Sequence, residues 1–315
     1  MSNTPRVAYV FPGQGSQRIG MGQDLYRDFS SARQTFDEAD AALGFSLSHL
    51  CFEGPETELR RTDNMQPALL TTSIACLRAV QQAASQSLPS PSFVAGHSLG
   101  EYTALVAAGV LNLDEALKLV RERGRLMYQT GEKNQGSMLA IIGLDRTTTE
   151  ELCQETGTEV SNVNCPGQLV ISGAVDALEA ASSLAKTRGA RRLIPLKVSG
   201  AFHSSLMEPI IGEFSAAVLS ATLRPPAIPI VGNVTARPLL DVTSIREELV
   251  QQLRRCIQWQ SSVEYMTRTG VNAFYEIGPG TVLTGLVKRI EPTARTFNIG
   301  TSEDIAQLVD LANSS

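Results

Sequence analysis

The stretch GHSLGEY, residues 96–102, decides how this 315-residue sequence folds. The apolar residues 93–95 (FVA) come directly before it, and a long apolar segment follows it. GHSLG fits the pattern G-x-S-x-G, in which a serine lies on a sharp turn between a buried strand and a helix. Gly96 and Gly100 leave room where the two backbones approach, and a helix that begins at Ser98 directs its first amides towards the serine oxygen. The stretch therefore predicts a nucleophilic Ser98, and a purely structural turn is the alternative.

The other apolar segments favour an α/β domain with a parallel sheet. Residues 7–11 form a continuous apolar run that ends at Pro-Gly, which is typical of a strand buried on both faces. Pro67 is expected to open a helix, because a missing N–H costs nothing in the first turn. Asp114 is expected to cap the helix DEALKLVRERGRLMY. Residues 275–280 (YEIGPG) predict a further strand that ends in a tight turn, followed by a helix from Val282.

Residues 136–198 predict a separate small domain. Their pattern indicates a strand, a helix, two strands joined by the turn sequence CPGQ, a second helix and a last strand. This β-α-β-β-α-β order is the split βαβ, or ferredoxin-like, arrangement. We therefore expect a small domain inserted into a large one that is formed by residues 1–135 and 199–315.

Composition and charge indicate an ordinary globular protein. The chain is 43% hydrophobic and 19% charged, and its net charge of −5 does not suggest a nucleic-acid partner. No apolar stretch approaches the ~20 residues that span a bilayer, and the short N-terminal apolar run predicts a buried strand rather than a signal peptide. The five cysteines show no CxxC spacing, which predicts reduced thiols in a cytoplasmic protein and no metal site.

A nucleophilic serine needs a base within hydrogen-bond reach, and the chain has three histidines. His97 is next to Ser98, but neighbours in a tight turn point in different directions, so a structural role is expected for it. His49 lies on a predicted amphipathic helix with no motif around it. His203 lies in SGAFH, just after the predicted small domain rejoins the large one, and clefts form at such junctions. We therefore predict His203 as the base.

Arg123 stands out on the helix that follows residue 113. A helical wheel at 100° per residue places Arg123 in the middle of the apolar stripe. The other charged residues of this segment share the opposite face: Lys118, Arg121, Glu122 and Arg125. A buried guanidinium keeps its charge, so an anion must meet it. Two alternatives follow, an internal salt bridge or a clamp for a substrate carboxylate.

The glycine-rich segment FPGQGSQRIGMG, residues 11–22, fails as a nucleotide-binding motif. Arg18 stands where G-x-G-x-x-G requires a glycine, and no G-K-[ST] follows. A turn at the carboxyl end of the first strand is where α/β active sites collect. The backbone amide of Gln14 can therefore complete an oxyanion hole with that of Leu99, and a purely structural turn is the alternative.

Five motifs come in one order along the chain: FPGQGSQ, GHSLGEY, RG at 123–124, GAFH at 200–203 and EIGPG at 276–280. In this combination the sequence resembles the acyltransferase family of fatty-acid and polyketide synthesis, and within it the malonyl-CoA:acyl-carrier-protein transacylases. The resemblance extends over about residues 8–290. It implies an α/β fold with a hydrolase-like, parallel-sheet large domain and an inserted ferredoxin-like small domain.

The resemblance also implies roles for the residues already singled out. Ser98 carries the acyl group, His203 activates it, and Arg123 binds the free carboxylate of malonate. The amides of Gln14 and Leu99 form the oxyanion hole. No bound cofactor or metal is implied, and malonyl-CoA and CoA are substrate and product.

Three further positions follow from the resemblance alone. In this family a backbone carbonyl orients the histidine, and the matching position is Gln252, although Arg254-Arg255-Cys256 replaces the commoner aromatic-Asn-Pro after it. Asn164 matches a position that lines the cleft from the small domain. Phe202 would crowd an α-methyl branch beside the base, which favours malonyl over methylmalonyl.

The expected function is transfer of malonyl from malonyl-CoA to an acyl carrier protein through malonyl-serine, by a monomer without nucleic-acid or membrane partners. A serine esterase or thioesterase, a stand-alone loader for polyketide synthesis and a module that only binds acylated carriers are the alternatives. An acidic carrier would need a local basic patch on this acidic chain. The candidates for that patch are Arg188, Arg191, Arg192, Lys288 and Arg289.

Overall fold

The computed structural model describes residues 6–84, 88–133 and 135–313, and within these ranges the strands form two sheets. The strands are β1 (Arg6–Phe11), β2 (Phe93–Gly96), β3 (Gly136–Ile142), β4 (Glu159–Cys165), β5 (Gln168–Ala174), β6 (Arg192–Pro195), β7 (Ile230–Val231), β8 (Pro238–Leu239), β9 (Val271–Ile277) and β10 (Arg295–Ile299). The helices are α1 (Gln23–Asp28), α2 (Ser30–Leu43), α3 (Leu47–Glu53), α4 (Glu56–Leu59), α5 (Thr62–Ala84), α6 (Gly100–Ala107), α7 (Leu113–Lys133), α8 (Arg146–Thr156), α9 (Val175–Thr187), α10 (Ile211–Ser220), α11 (Val242–Gln252), α12 (Trp259–Arg268), α13 (Val282–Ile290) and α14 (Ser302–Asn313). A 3-10 helix covers Ser205–Ile210.

The larger sheet has the strand order β10-β9-β1-β2-β7-β8. Neighbouring strands are parallel except at the edge, where the short β8 runs antiparallel to β7. β1 lies in the interior of the sheet, and every residue of it except Arg6 is buried. This burial on both faces explains the continuous apolar run of β1, because helices cover both sides of a parallel sheet.

The two faces of the larger sheet carry separate apolar clusters. Alternate residues of β1 belong to different clusters, as expected from the period of two along a strand. Val7, Tyr9 and Phe11 pack with residues from α5, α6 and α7. Ala8 and Val10 pack on the other face with residues from α12 and α13. The predicted α/β class with a parallel sheet is therefore confirmed.

The smaller sheet has the strand order β4-β5-β3-β6, and all its neighbouring strands are antiparallel. Its elements follow the chain order β-α-β-β-α-β, so the ferredoxin-like arrangement is confirmed. Residues from α8 and α9 cover one face through a third apolar cluster that includes Ile141, Leu152 and Ala181. The division into an inserted domain of residues 136–198 and a large domain of residues 1–135 and 199–315 stays a prediction.

Pro67 does not open a helix. It lies inside α5, which begins at Thr62. A proline nitrogen cannot donate to the carbonyl four residues earlier, which here belongs to Asp63. Arg121 of α7 replaces that donor, since its Nη1 lies 2.6 Å from the Asp63 carbonyl oxygen. The expectation failed because the substitute donor comes from a distant part of the chain.

The beginnings of two other helices also differ from expectation. Asn112 caps α7, because its Oδ1 accepts from the amide of Glu115 at 2.8 Å. Asp114 instead forms an ion pair with Lys118 one turn further on. Helix α6 begins at Gly100 rather than at Ser98. Within the described ranges, no helix is both long and apolar enough to cross a bilayer, and no group of three His, Cys, Asp or Glu side chains is placed to hold a metal.

Candidate active site

Ser98 lies in the turn between β2 and α6, with a left-handed backbone φ of 51°. The flanking glycines are required by contact. A Cβ on Gly96 would lie 1.9 Å from the carbonyl carbon of Gly100, and a Cβ on Gly100 would lie 2.1 Å from the carbonyl oxygen of Phe11. Any side chain at either position would push the strand and the helix apart and displace the serine.

The Ser98 hydroxyl meets the imidazole predicted as its base. Ser98 Oγ lies 2.8 Å from His203 Nε2. On the other side of the ring, His203 Nδ1 lies 2.6 Å from the carbonyl oxygen of Gln252. A carbonyl only accepts hydrogen bonds, so Nδ1 carries the proton and Nε2 presents its lone pair to the serine.

The position of His203 is fixed from both its backbone and its ring. Its amide donates to the carbonyl of Leu253 at 3.1 Å, and its φ of 58° is left-handed. Gln252 is the last residue of α11, and the final carbonyls of a helix have no partner within the helix. The carbonyl of Gln252 is therefore free to accept from Nδ1. The replacement of aromatic-Asn-Pro by Arg254-Arg255-Cys256 leaves this contact in place.

Electrostatics keep the imidazole neutral. Burial lowers the pKa of His203 to about 3, and the positive charge of Arg123 acts in the same direction. A neutral imidazole is the form that can accept the serine proton. Near neutral pH the histidine is therefore in the protonation state that a general base requires.

Arg123 reaches the serine from α7 and is almost fully buried, with 1% of its surface exposed. Its Nη2 lies 3.2 Å from Ser98 Oγ and 2.8 Å from Gln252 Oε1, and its Nη1 lies 2.9 Å from Gln66 Oε1. Arg123 Nε has no partner within the described ranges. All these partners are neutral groups, so the internal salt bridge considered from the sequence is not what the structure contains. The site holds a buried cation beside the serine.

Gly124 lets α7 approach α5 closely enough to place Arg123 there. A Cβ at Gly124 would lie 2.7 Å from the Cα of Asp63 and 2.7 Å from the carbonyl oxygen of Thr62. Gln66 of α5 is then within reach of the guanidinium. The pair RG at 123–124 thus combines the charged group with the close helix contact that positions it.

The segment after β1 lies against the serine turn. A Cβ on Gly13 would lie 2.3 Å from the carbonyl oxygen of His97, and the amide of His97 donates to Phe11 at 3.1 Å. Among the residues that the structure describes, the amides of Gln14 and Leu99 donate to no protein acceptor. Both donors are therefore unused, as an oxyanion hole requires before the substrate arrives.

The remaining predicted residues surround this centre. His97 Nε2 lies 2.8 Å from Asn164 Oδ1, and the His97 ring lies 5.7 Å from that of Trp259, so His97 joins the serine turn to β4. Phe202 is buried in the main apolar cluster, and its carbonyl accepts from Ser172 Oγ at 2.7 Å. His49 is exposed on α3, where its Nδ1 lies 3.8 Å from Glu53 Oε2.

Sequence reasoning missed three buried polar residues of the site. Gln66 contacts Arg123 as described. Asn233 Oδ1 accepts from the amide of Ser98 at 2.7 Å, and Glu101 accepts from the amide of Asn233 at 2.9 Å. Glu101 had a signal, since its carboxylate lies in a helix that is apolar almost all round. Asn233, in the segment GNVT, had none.

Comparisons with known proteins identify the family of this chain. Residues 8–303 match the family model described as the acyl transferase domain. The chain belongs to the acyl transferase family. Its membership confirms the resemblance found in the motifs and the assignment of the chain as an acyltransferase.

Several relatives of this acyl transferase cover nearly its whole length. The malonyl CoA-acyl carrier protein transacylase of Bacillus subtilis (strain 168) is 43% identical over 305 residues, which are 95% of each chain. The protein of that name from Escherichia coli (strain K12) is 43% identical over 97% of this chain and 99% of its own.

Solved structures of acyl transferases are equally similar. The acyl carrier protein S-malonyltransferase of Vibrio cholerae has a TM-score of 0.92 at 40% identity, covering 96% of this chain and 99% of its own. A malonyl-transacylase in complex with a type II PKS acyl-carrier protein has a TM-score of 0.93 at 40% identity, covering 97% and 99%.

Proposed function

We propose that this acyltransferase transfers the malonyl group of malonyl-CoA to the phosphopantetheine thiol of an acyl carrier protein, and so supplies fatty-acid chain extension. One observation carries the proposal. The hydroxyl of Ser98 lies 2.8 Å from the imidazole of His203 and 3.2 Å from the guanidinium of Arg123. A nucleophile, its base and a buried cation for a carboxylate therefore meet at one point.

In the first half-reaction, Ser98 becomes acylated. His203 Nε2 takes the hydroxyl proton while Oγ forms a bond to the thioester carbon. The amides of Gln14 and Leu99 hold the negative oxygen of the tetrahedral intermediate. The C–S bond then breaks, and the proton on His203 passes to the departing thiolate of CoA. The products are malonyl-Ser98 and free CoA.

The second half-reaction repeats these steps in reverse order with a different thiol. His203 takes the proton of the carrier's phosphopantetheine thiol, and the sulfur attacks the malonyl ester. Collapse of the intermediate breaks the Oγ–C bond and returns the proton to Ser98. Exchange between a thioester and an oxyester is nearly balanced in energy, so we propose that the cycle needs no bound cofactor.

Arg123 provides the preference for a carboxylated acyl group. Within the part of the chain that the structure describes, its Nε has no hydrogen-bond partner and its other nitrogens contact only neutral oxygens, so a malonyl carboxylate would be its first anionic partner. Hydrogen bonds to a charged group contribute about 1.5–3 kcal/mol each. That range corresponds to a preference of roughly tenfold or more over a neutral acyl group.

Hydrolysis is the main alternative, because esterases and thioesterases share the serine turn. Their histidine usually has an Asp or Glu behind it. Here the partner of Nδ1 is the backbone carbonyl of Gln252. This contact favours acyl transfer over hydrolysis as the proposed function. A loader for polyketide synthesis would use the same chemistry with a different carrier.

We place the enzyme in the cytoplasm. Its five cysteines, at 51, 76, 153, 165 and 256, are all free. Burial raises the pKa of each of these thiols, which keeps them protonated. A chain with unpaired, protonated thiols suits a reducing compartment.

The decisive experiment is to incubate the protein with malonyl-CoA and to map the adduct by intact-mass and peptide mass spectrometry. We expect one malonyl group on Ser98, its disappearance when holo acyl carrier protein is added, and malonyl-carrier as the product. Ser98→Ala is the matched control and should carry no adduct. An unmodified Ser98, or release of free malonate as fast as loading without any carrier, would overturn the proposal.

A further inference from the structure

Glu101, the last residue of the stretch GHSLGE, has no part in the mechanism above, yet it is fully buried beside the site. It lies in the first turn of α6. One carboxylate oxygen accepts from Asn233 twice, from the backbone amide at 2.9 Å and from Nδ2 at 3.2 Å. The other oxygen accepts from Gln252 Nε2. Glu101 therefore joins two residues that arrive from different parts of the chain.

The first of these residues holds the serine turn. Asn233 Oδ1 accepts from the amide of Ser98 at 2.7 Å, and its Nδ2 donates to the carbonyl of Gly96 at 2.7 Å. One side-chain amide thus bridges both sides of the turn in which Ser98 has its left-handed φ. Glu101 keeps Asn233 in the orientation that makes both bonds.

The second residue links the serine, the base and the arginine. Gln252 Nε2 donates to the carbonyl of Ser98 at 3.0 Å, and Gln252 Oε1 accepts from Arg123 Nη2 at 2.8 Å. A carboxylate accepts only, so it selects the NH₂ end of the Gln252 amide. The oxygen of that amide must then face Arg123. The orientation of the amide is set by Glu101.

The side-chain amide of Gln252 links Glu101 to Arg123. Among the residues that the structure describes, no carboxylate lies within hydrogen-bond distance of Arg123, and Glu101 is joined to it through this amide group. The pKa of Glu101 is raised well above its ordinary value, first by burial and then by the nearby Glu248, although its donors on Asn233 and Gln252 and the charge of Arg123 lower it. Three N–H donors surround the carboxylate, and hydrogen bonds of this kind favour its ionised form.

We propose that Glu101 is a positioning residue for acyl-group selection. Through the side-chain amide of Gln252 it keeps Arg123 directed at the carboxylate of the acyl group, and through Asn233 it holds the turn that carries Ser98. This inference rests on the proposed function, because the carboxylated acyl group is the substrate of that function. It assigns to the acid of GHSLGE a role in choosing the substrate as well as in building the turn.

The test replaces Glu101 with Gln and measures Ser98 loading from malonyl-CoA and from acetyl-CoA separately. In Glu101→Gln an NH₂ group faces Gln252 Nε2, so the Gln252 amide must turn over and present NH₂ to the guanidinium. Arg123 then loses Gln252 Oε1 as its acceptor, and its guanidinium is no longer held towards the acyl carboxylate. We expect kcat/KM for malonyl to fall about tenfold or more, with a smaller fall for acetyl, so that the malonyl-to-acetyl ratio decreases.

Glu248 supplies the matched control. It is also a buried acid, with 3% of its surface exposed, and it caps the neighbouring segment through Val234 and Thr235. Its side chain has no hydrogen bond to Gln252 within the described ranges. Glu248→Gln removes the same charge from the same region, so it should leave the malonyl-to-acetyl ratio unchanged. Equal ratios in the wild type, Glu101→Gln and Glu248→Gln would overturn the inference.

A second variant keeps the test decisive if Glu101→Gln folds poorly. Gln252→Met removes the side-chain amide but keeps the backbone carbonyl that orients His203. It should lower the malonyl-to-acetyl ratio, and the double variant should lower it no further, because both changes act on one relay. An unchanged ratio in Gln252→Met would refute the relay. If the wild type itself forms no malonyl-Ser98, the proposed function fails, which is a separate result.

Discussion

Ser98 and His203 both have a left-handed backbone, with φ values of 51° and 58°. Residues other than glycine rarely adopt this conformation. Such residues cost about 1–3 kcal/mol each and persist only when the surrounding structure holds them. Here the surroundings are identifiable: the amide of Asn233 holds the serine turn, and the Leu253 carbonyl holds the backbone of His203. Both residues are thus held in place before any substrate binds.

Replacement of Ser98 should separate this backbone strain from the chemistry. Ser98→Ala and Ser98→Gly both remove the hydroxyl, so neither should form an acyl adduct. Only glycine adopts a positive φ without strain, so Ser98→Gly should be about 1 kcal/mol more stable than Ser98→Ala. Urea unfolding of the two variants measures this difference. Equal midpoints would show that the turn stores no strain.

The low pKa of His203 predicts an unusual pH dependence of loading. Burial lowers the pKa of His203 from its ordinary value of 6.5 to about 3 in the folded protein, so the imidazole stays neutral between these values. The rate of Ser98 acylation should therefore not fall between pH 7 and pH 5 through protonation of this ring. Single-turnover loading from malonyl-CoA against pH measures it. A titration near pH 6.5 would contradict the assignment.

The lowered pKa of His203 also makes the free energy of unfolding depend on pH. Between pH 3 and pH 6.5 the unfolded chain binds a proton at His203 that the folded chain does not. The contribution of this group is therefore complete above pH 6.5 and is lost as the pH falls towards 3. His203→Gln should show a weaker loss of stability over this window than the wild type, as measured by urea midpoints at each pH.

Truncation of Arg123 tests the carboxylate clamp itself. Arg123→Ala removes the cation beside Ser98 but leaves the serine–histidine contact in place. We expect weaker loading of malonyl and a relative gain for acetyl, by about tenfold in their ratio. Competition between malonyl-CoA and acetyl-CoA for Ser98, read by mass spectrometry, gives this ratio. Unchanged selectivity would remove Arg123 from substrate binding.

Helix α7 supplies a hydrogen bond that helix α5 lacks at Pro67, the residue that was expected to open a helix. Arg121 donates to the Asp63 carbonyl that Pro67 leaves without a helix partner, and also to Asn64 Oδ1 at 2.5 Å. Arg121→Met should cost about 1–3 kcal/mol, the usual range for a buried acceptor left unsatisfied. Lys118→Met on the same helix removes only an exposed ion pair with Asp114, and should change stability by less than about 0.5 kcal/mol.

Features that arise from a pattern within one segment could be predicted from the sequence, whereas features that depend on contacts between distant residues could not. The order of strands and helices in residues 136–198 follows from patterns within each segment, and it was predicted correctly. The buried position of Arg123 followed from one helical wheel. Pro67 was misplaced because its substitute donor is Arg121. Asn233 was missed because it reaches Ser98 across 135 positions, with no local pattern. A backbone acceptor such as the Gln252 carbonyl has no residue signature, and it was found only through the family resemblance.

The net charge of the whole molecule affects how a carrier protein can dock on it. The net charge is −5, so an acidic carrier must find a local basic area. Of the candidates for it, Arg188 pairs with Glu155 and Arg289 donates to Gln168 Oε1 and to the Pro166 carbonyl. Within the described ranges, Arg191, Arg192 and Lys288 form no ion pair.

Ionic strength should therefore separate two acceptors of the malonyl group. Transfer to holo carrier protein is expected to slow as salt rises from 50 to 500 mM, because screening weakens a charge-guided approach. Transfer to free pantetheine, which is uncharged, should change little over the same range. Stopped-flow decay of malonyl-Ser98 measures both. Equal salt dependence for the two thiols would argue against charge-guided docking.

The segment that follows α7 and the segment that leads into His203 lie directly against each other. A Cβ on Gly131 would lie 1.7 Å from the carbonyl oxygen of Ser199, and one on Gly136 would lie 2.9 Å from the Cβ of Ala201. A segment whose two ends touch can change in length or be exchanged without altering the spacing of its flanks. Exchange of the intervening residues with those of a related protein should therefore leave His203 in the same place, as long as the contacts of Asn164 with His97 and of Ser172 with Phe202 are kept.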